Sequence, residues 1–268
     1  MDQSESIVVN DAVTIERDGT LGWVVLTRPG QINAINDDIR AGVPQALREL
    51  DADPAIRVIA IRGAGPRGFC AGADIKEKRG PETAIEVRSR MQRARWIEAI
   101  DAVQKPVIAA VHGYCMGGGL ELALACDIRY AAPDAVFSLP ETALGLIPGG
   151  GGTQRLARVV GPGRAMDLLL TGERLDAAAA RDIGLVTRVA SESDALIGEV
   201  RSFAQRIAAR APAATLSVKR AARSALELEL KQGLDLELDL FAMLKPSEDA
   251  REAALAFSEK RPPNFIGR

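Results

Sequence analysis

The chain has 268 residues, 47% of them hydrophobic, with a formal net charge of −2 and a single histidine. This is enough apolar material for one large core, or for a core with a smaller appendage. The near-balanced charge provides no basic field, which argues against nucleic acid or an anionic membrane surface as primary partner.

No apolar run approaches the roughly 20 residues that span a bilayer. The start, MDQSESIVVND, lacks the basic and apolar regions of a signal peptide, so a cytoplasmic location is expected. The three cysteines, Cys70, Cys115 and Cys126, are odd in number and show no CxxC spacing, which fits packed thiols rather than a disulfide framework or a zinc site. With His112 the only histidine, and its position that of a turn residue, general acid or base work falls to carboxylates.

In chain order, Val13 to Glu16 and Leu21 to Thr27 flank Asp18-Gly19 and predict a β-hairpin at a sheet edge. Asn36 or Asp37 is placed to cap a helix to about Ala52, with Pro44 inside it. Arg57 to Arg62 reads as a strand and Gly63 to Gly68 as a turn. FCAGADIKE, Phe69 to Glu77, reads as a loop of small residues in which Asp74 can cap the next segment. After Pro81 a single helix is predicted to about Val103, with Ile85, Met91, Trp96, Ile97 and Ile100 as its apolar positions. Asp127 to Ala131, Ala135 to Ser138 and Leu185 to Val189 read as strands. The last sixty or so residues read as helices broken near Pro212, Gly233 and Pro246. Residues 1–204 are expected to form an α/β core and 205–268 a helical appendage whose apolar surplus must pack on something.

The stretch Lys105 to Asp127, KPVIAAVHGYCMGGGLELALACD, is central: a buried strand from Val107 to Val111, a turn at Gly113, then Gly117, Gly118 and Gly119 opening a helix. A helix that starts on glycines leaves its first N–H groups reachable by an anionic oxygen. Glu121 stands in that first turn, and Glu141 comes directly after Pro140 among small and apolar residues. Either glutamate alone is equally explained as a cap or as an acid paired with arginine. On two sides of one carbon skeleton, burial and mutual repulsion would divide them into one carboxylate and one acid, which suits adding or removing water. The Pro148 to Gly152 run is either a connector or part of such a site.

Together FCAGADIKE, the central stretch, FSLPETALGLIPGGGGTQRLARVVG and the closing AFSEKRPPNFIGR resemble the crotonase (enoyl-CoA hydratase/isomerase) superfamily over nearly the whole chain. The resemblance implies an α/β fold, a crotonase-like spiral of ββα units with a C-terminal helical trimerisation region, assembled as a homotrimer or a hexamer of two trimers. It implies that the N–H groups of Ala73 and Gly118 form an oxyanion hole for an acyl thioester. Glu121 and Glu141 match the two catalytic glutamates of the hydratases, and Gly149 matches a backbone N–H that positions water. Ala34, Ala71, Asp74 and Ile75 fall where the family binds coenzyme A, with Arg28 a candidate phosphate partner and Lys260 a candidate contact to the nucleotide end. No cofactor is implied, coenzyme A being carried by the substrate.

Retention of both glutamates favours hydration of a 2-enoyl-CoA. Isomerisation of a 3-enoyl-CoA or hydrolysis of an acyl-CoA would share the same oxyanion hole. A non-catalytic RNA-binding scaffold is the reading from another class, and the absence of a basic stripe speaks against it.

Overall fold

The computed structural model describes residues 5–74, 76–77 and 80–268. The chain opens with three antiparallel strands, β1 (Glu5–Asn10), β2 (Val13–Asp18) and β3 (Leu21–Leu26), and then forms helix α1 (Asp37–Ala52). Strand β4 (Val58–Gly63), helices α2 (Ala84–Arg93) and α3 (Ala99–Ala102), strands β5 (Val107–Val111) and β6 (Tyr114–Met116), and helix α4 (Gly118–Ala125) come after it. Next are β7 (Ile128–Ala131), β8 (Val136–Ser138), α5 (Gly152–Val160), α6 (Pro162–Thr171), β9 (Leu175–Asp176), α7 (Ala177–Asp182) and β10 (Arg188–Val189). Helices α8 (Leu196–Ala208), α9 (Pro212–Ser224), α10 (Leu230–Leu244) and α11 (Glu248–Glu259) end the chain.

A seven-stranded sheet in the order β1-β2-β3-β4-β5-β7-β10 forms the centre, parallel from β3 onward. Side chains alternate across it, as the two-residue period of a strand requires. Val24, Ile59, Ile61, Val107, Ala109 and Val111 face one way, onto Ile39, Val43, Leu47 and Leu50 of α1 and onto α4. Trp23, Val25, Val58, Ala60, Ile108 and Ala110 face the other way, onto Leu196, Val200 and Ala204 of α8. With both faces covered, the parallel strands become nearly continuous apolar runs, and β5, VIAAV, is buried throughout. A small second sheet, β6-β8-β9, carries the chain toward Gly117 and Pro140.

Asn36 caps α1 by accepting from the Ile39 N–H, and the helix runs through Pro44 as expected. The hairpin is present, but β1 pairs outside β2, so β1 and not the hairpin is the sheet edge. The helix predicted after Pro81 is two helices. Ile97 and Ile100 are buried beside and within the short α3, whereas α2 buries nothing, and one straight helix could not serve both surroundings. The predicted strand from Leu185 shrinks to β10, because the Leu185 carbonyl accepts from Arg129 Nε (2.7 Å) instead of joining the ladder. Gly233 does not break a helix: it lies in the exposed first turn of α10, its N–H bonded to the Glu229 carbonyl (3.0 Å), and the break falls at 225–229. All three thiols are buried and unbridged, and burial pushes Cys70 and Cys126 up to about 12.

The loop after β3 is fastened to the turn after β4 by Asn33, fully buried at φ 54°, a left-handed conformation that asparagine tolerates better than most residues. Its Nδ2 donates to the carbonyls of Ala64 (3.1 Å) and Gly68 (3.0 Å), and its Oδ1 accepts from the Arg28 N–H (3.0 Å). Asn33→Ala would strand buried backbone groups and is expected to cost about 2–4 kcal/mol, measured by urea unfolding. Wild-type stability in that variant would contradict this role.

Candidate active site

The sharp reversal from β6 into α4 is made at Gly117, whose φ of 51° suits glycine and whose missing side chain leaves room for a carboxylate. A Cβ there would stand 3.0 Å from Glu141 Oε1. Gly118 then begins α4, where a helix has no internal acceptor for its N–H. Opposite lies Ala73. Its neighbours spend their groups on Ile35, with the Ile35 N–H donating to the Gly72 carbonyl (2.8 Å) and the Asp74 N–H to the Ile35 carbonyl (3.0 Å), so the Ala73 N–H faces away from that pairing. Among the described residues neither the Ala73 nor the Gly118 N–H meets an acceptor. A Cβ built on Gly118 would lie 4.0 Å from Ala73 N and 3.9 Å from Glu121 Oε2, so two free donors and one carboxylate converge on a single small space.

Glu121 is only 4% exposed. Its Oε1 accepts from the N–H groups of Gly150 (2.6 Å) and Gly152 (2.8 Å). Ile97 approaches the same turn, its Cδ1 2.7 Å from where a Gly150 Cβ would be, and Leu139 adds a second apolar wall. Burial raises the Glu121 carboxyl above the ordinary carboxylate value, opposed by the two N–H bonds and by the charge of Arg155. Glu141 opens a 3-10 helix, Glu141–Leu144, and its Oε2 is buried without a hydrogen-bond partner among the described residues. Burial also raises this carboxyl, helped by the nearby Glu121 charge. Two backbone donors thus support Glu121 as a carboxylate, whereas Glu141 Oε2 has no donor among the described residues to support a charge. The arrangement can polarise a carbonyl at the two free N–H groups while one carboxyl takes a proton and the other gives one.

The Gly150 and Gly152 N–H groups bond Glu121, and Gly149, expected to position water, stands beside Met91, whose Cε is 2.7 Å from a would-be Cβ. Four glycines before a helix offered four candidate donors, and spacing alone does not single out the bonded pair. Arg28, the candidate phosphate partner, is already engaged by Asp74 Oδ2 (2.9 Å) and by the Ala34 carbonyl. Asp74, held low by Arg28, caps no helix; its Oδ1 accepts from the Lys76 N–H (3.1 Å). Ala34 and Ala71 lie in the two adjoining loops, the Ala71 N–H donating to the Ile32 carbonyl (2.9 Å). Ile75 lies outside the described residues. Lys260 ends α11 on the exposed C-terminal helices, with no hydrogen bond to Arg28, Ala34, Ala71 or Asp74 among the described residues. His112 bonds the Gly65 carbonyl (2.8 Å), a turn contact. No group of metal-ligating side chains occurs among the described residues, and none of their helices is long and apolar enough to cross a membrane.

Residues 16–268 match the family model described as enoyl-CoA hydratase/isomerase. A protein of Mycobacterium bovis named as a probable enoyl-CoA hydratase is 43% identical over 258 residues, 96% of this chain and 99% of its own. Crotonyl-CoA hydratase of Syntrophomonas wolfei is 38% identical over 257 residues, 96% and 98% of the two chains. Among solved structures, an enoyl-CoA hydratase from Bacillus anthracis superimposes with a TM-score of 0.91 at 35% identity, covering 96% of this chain and all of its own.

Because both glutamates are raised in the folded state, their protonated forms favour the fold. That contribution is whole below the ordinary carboxylate pKa of about 4.3 and is lost as pH rises through the native values. Glu141→Gln cannot ionise, so its melting temperature relative to wild type is expected to rise as the pH is raised above about 4.3. A relative Tm that is flat or falls over that range would contradict the assigned burial.

Proposed function

The chain belongs to the enoyl-CoA hydratase/isomerase family, and on that premise we propose that it adds water across the 2,3 double bond of a 2-enoyl-CoA thioester. The observation that carries this reading is the meeting of two N–H groups without an acceptor among the described residues, Ala73 and Gly118, with two carboxyls, buried Glu121 and half-buried Glu141. In the proposed reaction the water oxygen bonds to Cβ while Glu121, as carboxylate, takes one of its protons. The electron pair of the double bond shifts toward the thioester, and the enolate oxygen accepts from the Ala73 and Gly118 N–H groups. Glu141, protonated, then gives its proton to Cα as the enolate collapses. The product is a 3-hydroxyacyl-CoA, and a proton returned from Glu121 to Glu141 restores the starting state. The thioester is its own electron sink, so the chemistry calls for no cofactor.

The loops of Arg28, Ala34, Ala71, Asp74 and Ile75 are proposed to hold the coenzyme A portion, with Lys260 at its nucleotide end. Residues 205–268 are proposed to form an oligomerisation region. Leu230, Leu234, Leu238 and Phe241 of α10 are each more than half exposed at helical spacing, a stripe that copies of the chain in a trimer would cover.

The test is loss of the conjugated thioester absorbance of crotonyl-CoA. Wild-type protein should consume it, and Glu121→Gln and Glu141→Gln should each lower kcat by roughly 10²- to 10⁴-fold while keeping the fold. Unchanged turnover in both variants would contradict the assignment. Conversion of a 3-enoyl-CoA, or release of free coenzyme A without hydration, would move the proposal to isomerase or hydrolase.

A further inference from the structure

The turn that grips Glu121 is itself gripped. Arg155, one turn into α5, lays its side chain along Gly151, so that a Cβ on that glycine would be 3.0 Å from Arg155 Nε and 3.4 Å from Cδ. The Arg155 N–H also donates to the Gly151 carbonyl (2.8 Å). Beyond the turn, the guanidinium forks onto Asp101 of α3, with Nη1 to Oδ1 at 3.0 Å and Nη2 to Oδ2 at 2.6 Å. Two parallel bonds of this kind fix orientation as well as distance. Asp101 Oδ1 also accepts from Arg223 Nη1 of α9 (3.3 Å), whose Nε bonds Asp127 (2.8 Å) and whose Nη2 bonds the Ala125 carbonyl at the end of α4 (2.9 Å).

We infer that Arg155, anchored by Asp101, is a positioning residue that holds the Gly150–Gly152 turn in the shape presenting two N–H groups to Glu121. Gly151 lies between those two donors, so a shift of the Arg155 side chain displaces both. Arg223 extends the clamp from the same aspartate to the far end of α4, the helix that carries Glu121. The inference rests on the hydratase reading only for its kinetic test.

The charged and titratable groups around Glu121 are Glu141 from the 3-10 helix and Arg155 from α5. Behind Arg155 stand Asp101, the neighbouring Glu98, the Cys126 thiol and, through Asp101, Arg223. Arg155→Gln removes the cation that, among the described residues, acts on Glu121, so its carboxyl should ionise at higher pH and the acid limb of kcat should move up. At neutral pH kcat should fall roughly 10- to 100-fold with KM for crotonyl-CoA changed less than about twofold.

The deciding readout does not need turnover. In protein labelled with ¹³C at the glutamate carboxyls, the Glu121 resonance is assigned by its absence from Glu121→Gln, and its midpoint is titrated in wild type and Arg155→Gln. An upward move shared by Arg155→Lys, which keeps the cation and loses the fork, supports the clamp even if wild type fails to hydrate crotonyl-CoA, which would instead sink the hydratase reading; a move in Arg155→Gln alone is loss of charge and overturns the clamp. A Glu121 that titrates as in wild type overturns the clamp, whatever the kcat. Should Arg155→Gln not fold, Arg155→Lys decides, because it keeps the charge and loses the fork. Faster amide exchange at Gly150 and Gly152 supports the inference, and wild-type exchange overturns it.

Discussion

The two hydrogen bonds from Gly150 and Gly152 to Glu121 are the constraint on which the rest of the site depends. They join a loop built after β8 to a helix built after β6, and so bring together parts of the chain 29 and 31 residues apart. An isolated carboxylate taken this far from water would neutralise. Two backbone donors held in place favour the charged form against the rise that burial causes, which is what a base acting on water requires. The glycines matter because any side chain at Gly150 would meet Glu121 Oε2 at 2.8 Å.

Around that bond the molecule divides its labour. The parallel strands β3, β4 and β5 bury both faces and deliver their C-terminal loops to one side, where Asn33 fastens the loop after β3 to the turn after β4. The Ala73 N–H is therefore carried by a braced segment, and the Gly118 N–H by a helix that is almost wholly buried. Glu141 comes from the second, smaller sheet and reaches the same space past a glycine that has no side chain to block it. Catalytic power in such an arrangement comes from donors held in place before the substrate arrives.

Much of this was legible in the chain. The strand VIAAV, the glycines opening α4 and the two glutamates in small apolar surroundings pointed to a buried acid-base site beside free N–H groups, because each feature is local. What was not legible depended on tertiary partners. The bonds from Gly150 and Gly152 to Glu121 went unpredicted, since a run of identical glycines carries no mark of which N–H faces Glu121. It placed Leu185 in a strand because nothing local shows that Arg129, 56 residues away, claims its carbonyl. Likewise the division between α2 and α3 arises because Ile97 and Ile100 find a core that Ile85 and Met91 do not share.

The central claim is that the Ala73 and Gly118 N–H groups bind a thioester oxygen. The most direct measurement is the isotope-edited infrared spectrum of butyryl-CoA carrying ¹³C at the thioester carbonyl, a saturated ligand that cannot be hydrated. On binding, the carbonyl stretch should move to lower frequency than in water and narrow, as expected for two fixed donors on one oxygen. A bound ligand whose carbonyl stretch matches that in water, or moves to higher frequency, would contradict the claim.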